Sequence, residues 1–477
     1  MRARTRFIYP ALVAAAGLGL AACSQAPVLR IPPTAVADAY KEGAEWQAAQ
    51  PADDLPRDAW WHLYGDEQLN ALEQRLIDNS PDLAAALARY RQAKATDQEI
   101  AASRFPTLST SVNAQRDRQS ESKPLRVLGP LSPDEYSSAT LGFDLGYEFD
   151  LWGRVSDSVA SGRALEQAAR ADLASARLSL QAQLADNYLA LRGLDRQVAL
   201  LRDTEAAYTR ELEMVQARHD GGIASGLDLA RAQAQRETTS SQLKQTLAQR
   251  ALVEHSIAAL VGAPATNFSL EPSVADIRLP AVPPGLPSTL LQRRPDIAAA
   301  QRRVVSANAS VGVAKAAYFP SLTLDAQYGY QSGTFHNLVT APNVFWAVGP
   351  TLFLELIDGG LRQAQVAHAR AVLDEAGANY RSVVVAAFQQ VEDGLSLLAN
   401  YRSAATSQAV AVAATQHSLD MAKTRYREGA SSYLDVVVSE TDALQARREA
   451  EDLNARQLRA SVQLIRALGG GWTQAAP

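Results

Sequence analysis

Much is scarce in this 477-residue chain, and each scarcity excludes a class of chemistry. Cysteine occurs once, at Cys23, so there is no disulfide framework and no CxxC site. The six histidines, at 62, 219, 255, 336, 368 and 417, are scattered, without an HExxH spacing, and no Walker A run is present. The net charge is −5 and no basic block stands out, which excludes a nucleic-acid partner. Aromatic residues make up 6%. Beyond the N-terminus no apolar run approaches the roughly 20 residues of a membrane helix. Glu148, Asp150 and Glu355 are spaced like paired acid/base carboxylates, but no nucleophile stands beside a base, and on a strand's polar face they read as water-lining. An enzyme, a metal site or a bound cofactor is therefore not expected.

The first thing present is a targeting segment. Arg2, Arg4 and Arg6 precede the apolar stretch 7–20, which ends in Ala21-Ala22. Removing residues 1–22 leaves the remainder three charges more negative. The run Leu20-Ala21-Ala22-Cys23 resembles a bacterial lipobox, in which the cysteine becomes the acylated first residue after cleavage. The same resemblance reads Ser24, in place of Asp, as a signal for sorting to the outer membrane. A covalent lipid on Cys23 is the only attached group expected. Residues 23–59, rich in Pro, Ala and charge, read as a lipidated extended tether.

The chain then says nearly the same thing twice. Pro81-Asp82, Ala84-Ala85-Ala86 and Phe105-Pro106 recur as Pro295-Asp296, Ala298-Ala299-Ala300 and Phe319-Pro320, at a constant shift of 214. Later pairs are shifted by 207: Gly153 with Gly360, Asp186 with Asp393, Gly222 with Gly429, Asp228 with Asp435, and Gly262 with Gly469. A duplication of this length fixes the architecture once one copy is read. The change of register places a longer loop in the first copy, after Phe-Pro.

Each copy reads as a helix, two strands, a very long helix, a tight turn and a return helix. In 141–151 the odd positions are Leu, Phe, Leu, Tyr, Phe and Leu, against Gly142, Asp144, Gly146, Glu148 and Asp150. Such alternation gives one apolar and one polar face. The twin, 344–356, carries Val344, Trp346, Val348, Leu352, Leu354 and Leu356. Weaker strands precede these, around 108–114 and 322–330, with loops at 118–138 and 331–343. A strand of about 9–11 tilted residues spans a bilayer. Four strands cannot close a barrel, and lipid does not tolerate an open edge, so the chain is expected to oligomerise.

From Val155 to His219 there is no proline, and glycine occurs only at 162 and 193. Leu173, Leu180, Leu184, Leu191, Leu194, Val198 and Leu201 form a seam of coiled-coil type. Sixty-five helical residues span roughly 100 Å, which calls for neighbours along the whole length. Return and shorter helices are expected at 228–261 and 82–104, and the second copy repeats the set at 361–427, 434–468 and 296–318. Gly222 and Gly429 end the long helices, where a left-handed residue is needed. Segment 263–294, punctuated by prolines, joins the copies.

Taken with the run RYREGASSYLDVV (425–437) and the closing ALGGGW (467–472), these features resemble the outer membrane factor (TolC-like) family. The lipoprotein branch of OprM-, CusC- and NodT-type efflux channels is most similar. The resemblance implies an α+β membrane protein that is a homotrimer. Three chains would build a twelve-stranded outer-membrane β-barrel, continuous with a twelve-helix periplasmic α-barrel. On this reading 106–153 and 320–358 are barrel hairpins, while 82–105, 154–262, 296–319 and 359–468 form the helical barrel. Irregular segments 60–81, 263–295 and 469–477 would form a mixed equatorial belt. The implied partners are a periplasmic adaptor protein, an inner-membrane pump and outer-membrane lipids. The implied activity is passive conduction of small molecules, such as drugs or metal ions, out of the cell.

The family's gate transfers with gaps. Its tyrosine corresponds to Tyr426, its first aspartate to Asp435, and the aspartate of the other hairpin that meets the tyrosine to Asp228. The family arginine is Ser431 here, and the second aspartate is Val438. In the OprM-like branch a leucine narrows the pore, and that position is Leu434; Arg427 matches a basic residue of the branch. Gly222 and Gly429 mark the turns expected to touch the adaptor. A simpler reading of Asp228 and Asp435 is that each caps the helix that follows a glycine turn. Two other functions fit the same pattern: the exit duct of a type I protein-secretion system, and a lipid-tethered periplasmic structural coiled coil.

Overall fold

The computed structural model describes residues 24–32, 40–43, 59–120, 134–282 and 293–470. Cys23, the targeting segment and Trp472 lie outside them. The duplication is explicit in the helices. The first copy has α2 (Pro81–Ala102, 22 residues), α3 (Arg154–Asp220, 67 residues) and α4 (Gly226–Leu260, 35 residues). The second has α5 (Pro295–Ala316), α6 (Leu361–Arg427) and α7 (Tyr433–Ala467), with the same three lengths. A further helix, α1 (Glu67–Asn79), precedes the first set. No helix among the described residues is long and apolar enough to cross a membrane.

The described residues fall into two units. One contains the strands, the helix segments 92–102, 154–168, 301–316 and 361–379, and the N-terminal stretch 24–32. Its sheet is antiparallel, β1 (Thr107–Arg118), β2 (Glu135–Phe149), β3 (Ser321–Ser332) and β4 (Val344–Phe353), in the order β1-β2-β3-β4. The register brings Thr110, Phe143, Tyr328 and Trp346 into one row, and Leu108, Leu145, Ala326 and Val348 into the next but one. Side chains alternate along a strand, so these rows share a face. The intervening row holds Ser109, Asp144, Gln327 and Ala347. One face is thus apolar and the other polar, and Trp346 is 72% exposed on the apolar one. Among the described residues the outer edges of β1 and β4 have no strand partner.

The expected loop at 118–138 is shorter than predicted. The ladder continues to Arg118 opposite Glu135, and the Arg116 guanidinium meets the Glu135 carboxylate at 2.7 Å. Polar cross-strand pairs extended a hairpin whose apolar alternation had already stopped. At the other end β4 stops at Phe353, before Leu354 and Leu356. Two of the polar-face carboxylates serve the strand-to-helix corner. Asp150 accepts from Val155 N and Ser156 N at 2.9 and 2.7 Å, capping α3, and Glu148 pairs with Arg154.

The other unit holds the remaining helices and segments 40–43, 59–91 and 169–300. Segment 60–81, expected to be irregular, contains α1. Asp66 accepts from Gln68 N and Leu69 N, and Leu69, Leu72 and Leu76 are buried at helical spacing. A 3-10 turn at Trp60–Tyr64 buries both tryptophans. The proline-rich connection is fastened by charge. Arg192 bonds Asp195 and Glu271 O, and Arg250 bonds Asp195 and Leu270 O, with both guanidinium groups largely buried. The copies end alike. Gly262 has φ +71°, and a Cβ there would lie 2.3 Å from Asn79 O; at Gly469, φ +92°, it would lie 2.4 Å from Arg293 O. Asn79 and Arg293 are themselves 214 apart, so one close helix-end contact occurs twice.

Candidate functional site at the helical turns

Two tight turns, α3 to α4 and α6 to α7, lie at the ends of the long helices, and the sequence-predicted residues cluster on them. Gly222 and Gly429 both have φ +73°. Ile223 N bonds Arg218 O, and Ala430 N bonds Arg425 O, each at 2.8 Å, which closes the last helical carbonyls. The return helices start with serine. Ser225 Oγ donates to Asp228 Oδ2 at 2.8 Å and accepts from Asp228 N. Ser432 N and Oγ both donate to Asp435 Oδ2 at 3.1 Å. The N-caps are thus Ser225 and Ser432, and the aspartates sit three residues on, in the first turn, where the simpler reading had the aspartates themselves as caps.

One expected contact is not made within the chain. Tyr426 does not hydrogen-bond Asp228. The Asp228 carboxylate is occupied by Ser225, and Arg231 lies 3.6 Å away. The Tyr426 ring is covered by the Arg218 guanidinium, 5.1 Å from its centroid, and stands 5.4 Å from the Tyr433 ring. Local partners three residues away in sequence satisfy the carboxylate at small entropic cost, which leaves no pull toward the other hairpin.

The two turns pack as one body. Val215, Ala232, Tyr433 and Val436 form a buried cluster, with Leu212, Leu229, Ala422, Tyr426 and Val437 against it. All four helices contribute. Burial of Tyr433, Val436 and Glu440 turns the opposite face of α7 outward. On that face Leu434 is 44% exposed and Val438 50%. They are four residues apart and so adjacent on the helix surface, with Asp435 exposed beside them. Arg427 is exposed, without an ion-pair partner among the described residues.

Behind this cluster lies a charged group that sequence spacing gave no sign of. Lys423 on α6 meets Glu440 on α7 at 2.6 Å and Glu211 on α3 at 3.6 Å. Burial, then the Glu211 carboxylate, pushes the Glu440 carboxyl up to about 8. Burial works against the Lys423 ammonium, but the two carboxylates outweigh it and its pKa lies above the usual lysine value. Tyr208 accepts from Gln235 Nε2 at 3.3 Å and feels the Glu440 and Glu211 charges. Among the described residues no set of three or more His, Cys, Asp or Glu side chains could hold a metal ion. What the site offers is an apolar stripe, an exposed carboxylate and two exposed turns.

The outer membrane efflux protein family matches residues 72–263 and 286–470, one block for each copy. The chain belongs to that family. As an outer membrane efflux protein it is 31% identical over 468 residues to the pyoverdine export outer membrane protein OpmQ of Pseudomonas putida, covering 96% of this chain and 97% of that one. It is 30% identical to the outer membrane protein OprJ of Pseudomonas aeruginosa over 464 residues, covering 96% and 95%. Among solved structures, the outer-membrane channel OprN superposes with a TM-score of 0.85 at 30% identity, over 94% of this chain and 100% of that one. The Campylobacter jejuni CmeC outer membrane channel gives 0.90 at 24% identity, over 95% and 96%, a likeness of fold. The fold of this efflux protein is that of TolC-like outer-membrane channels.

Proposed function

We propose that this efflux protein is the outer-membrane exit duct of a tripartite pump, passing small molecules passively from an adaptor and an inner-membrane pump to the exterior. One observation carries the reading: a four-stranded sheet with one apolar face and, among the described residues, two unpaired edges. Unpaired edges are not tolerated in hydrocarbon. Three copies joined β4 to β1 give twelve strands and remove every edge. Four helix columns per chain would likewise give three chains a tube of twelve helices.

The closed state is an apolar constriction on this reading. Leu434 and Val438 from three chains face the axis and close it by dewetting, with Asp435 supplying a cation-attracting ring. The family's second aspartate is replaced here by valine, which makes the ring more apolar. Tyr426, Asp228 and Arg427 would contact a neighbouring chain or the adaptor as the turns separate. The turns at Gly222 and Gly429 are the docking points for the adaptor. Acylated Cys23 is an additional anchor. Single-channel recording on purified protein in planar bilayers tests the duct. Discrete conductance steps support it, and their absence across all preparations would leave a structural stalk.

A further inference from the structure

A half-open cleft of about 530 Å³ lies where the end of α1, the start of α2 and the body of α3 meet. That volume falls within the roughly 300–1,000 Å³ of small-molecule sites. Leu83 and Leu87 of α2, four residues apart and so adjacent on its surface, line it together with Leu173 and Leu178 of α3. Gly470 borders the same space, and a Cβ there would collide with Leu178, so only bare backbone fits beside that wall. Arg170, Arg177 and Gln181 lie along the α3 side at helical spacings of seven and four. Both arginines are exposed, and neither has an ion-pair partner among the described residues.

Two buried side chains of the lining carry unfilled donors. Trp60 is 5% exposed and Gln181 4%. Trp60 Nε1 and Gln181 Nε2 are buried and have no hydrogen-bond partner among the described residues. Buried polar atoms are normally paired, and an indole N–H or a side-chain amide NH₂ pairs only with an acceptor. The arginines make the same demand, since a guanidinium donates and never accepts. Asp78, the one acid lining the cleft, is exposed and accepts from Gln74 Nε2 at 3.1 Å through both oxygens. The Glu73 carboxyl feels Arg177 but is fully buried, and that burial pushes it well above the usual carboxylate range, which weakens it as a counterion.

We propose that the cleft binds a medium-chain alkyl carboxylate. Its carboxylate meets Arg177 and the unfilled N–H groups of Gln181 and Trp60, and its alkyl chain lies along Leu83, Leu87 and Leu173. Arg177 and Gln181 are four residues apart and adjacent on α3, so one carboxylate reaches both. Hydrogen bonds to an ionised acceptor are the strong ones. Arg170 lies about 10 Å back along the helix axis and adds attraction at a distance. Apart from Trp60 the apolar lining is aliphatic, which suits a flexible chain better than a stack of rings. None of these residues belongs to the turns at Gly222 and Gly429, so the cleft is a second site, and its occupancy does not depend on the duct reading.

The test is equilibrium dialysis of radiolabelled decanoate against the mature protein in lipid nanodiscs, with empty nanodiscs giving the uptake by lipid alone. Saturable uptake above that background is expected in wild type. Arg177→Gln is expected to weaken it about tenfold and Arg170→Gln by less. Ala84→Trp, which puts bulk into the cleft, is expected to abolish it. All three positions are exposed, so the variants are expected to fold. Decyltrimethylammonium, with the same chain and the opposite charge, is expected to show no saturable uptake. Decanoate uptake no greater than background, equal uptake in wild type and Arg177→Gln, or equal uptake of the cation each overturns the site. A density map with decanoate present gives an independent readout. A carboxylate within about 3.2 Å of the Arg177 and Gln181 side-chain nitrogens supports the site, and a cleft filled by another copy of the chain overturns it.

Discussion

Lys423 Nζ stands 2.6 Å from Glu440 Oε1, and this contact ties α6 to α7 behind the turn at Gly429. Glu211 of α3 approaches the same ammonium, so one cation serves two carboxylates and three helices are held together. Removing the ammonium leaves the buried Glu440 carboxyl and Glu211 without their shared partner, a cost on the order of 1–3 kcal/mol. Lys423→Met is expected to lose about that much and to loosen the end of the helical body, measured as a lower thermal midpoint in detergent. A midpoint equal to wild type would show that the cluster is incidental.

The same cluster gives a pH dependence with a definite sign. The Glu440 carboxyl is raised to about 8 in the folded chain, from an ordinary value of 4.5. A raised carboxyl pKa means that the folded state holds the proton more tightly. Its contribution is therefore full below pH 4.5 and is lost as pH rises toward 8. Wild type is expected to lose thermal stability between pH 5 and 9, and Glu440→Gln to show a flatter profile over that range. Parallel profiles would remove Glu440 from the account.

Asp435 has two roles to separate. As the acceptor of Ser432 N and Oγ it stabilises the start of α7, and its loss there costs about 1 kcal/mol. As part of the proposed ring it would help close the pore. Asp435→Ala is expected to raise the leak conductance of the isolated channel, and Leu434→Ala with Val438→Ala to raise it further. Unchanged conductance in both variants would place the constriction elsewhere.

Trp346 and Gln327 lie on opposite faces of neighbouring strands, since Trp346 pairs with Tyr328 and Gln327 with Ala347. A lysine on the lipid face of a barrel costs about 2–4 kcal/mol near the bilayer midplane, and one in the lumen costs little. Trp346→Lys is expected to reduce the folded fraction in vesicles, and Gln327→Lys to leave it unchanged. The reverse ranking would invert the barrel.

The turns make a further prediction about partners. Ile223 is 75% exposed beside Gly222, and Ala430 is exposed beside Gly429. Cysteines placed at these positions are expected to crosslink a periplasmic adaptor in cells, whereas one at the exposed Val410, away from both turns, should not.

The frame was legible because its signals are periodic or repeated. Alternation in 141–151 and 344–356 marked the hairpins, absence of proline marked α3, and the 207 shift paired the turns. Other features depend on pairings that no spacing encodes. Glu211, Lys423 and Glu440 come from three helices far apart in sequence. α1 is short, and its Asp66 cap was hidden in a segment read as irregular. The outer half of the β1–β2 hairpin is held by Arg116 and Glu135, where hydrophobic alternation is absent. The Tyr426–Asp228 bond was expected from resemblance alone, and local partners displaced it.

The whole account depends on the open edges of β1 and β4 being closed by other copies of this chain. Native mass spectrometry of the mature protein in detergent tests this most directly. Three chains per particle is the predicted result, and a particle of one chain under conditions that preserve the strands would contradict it.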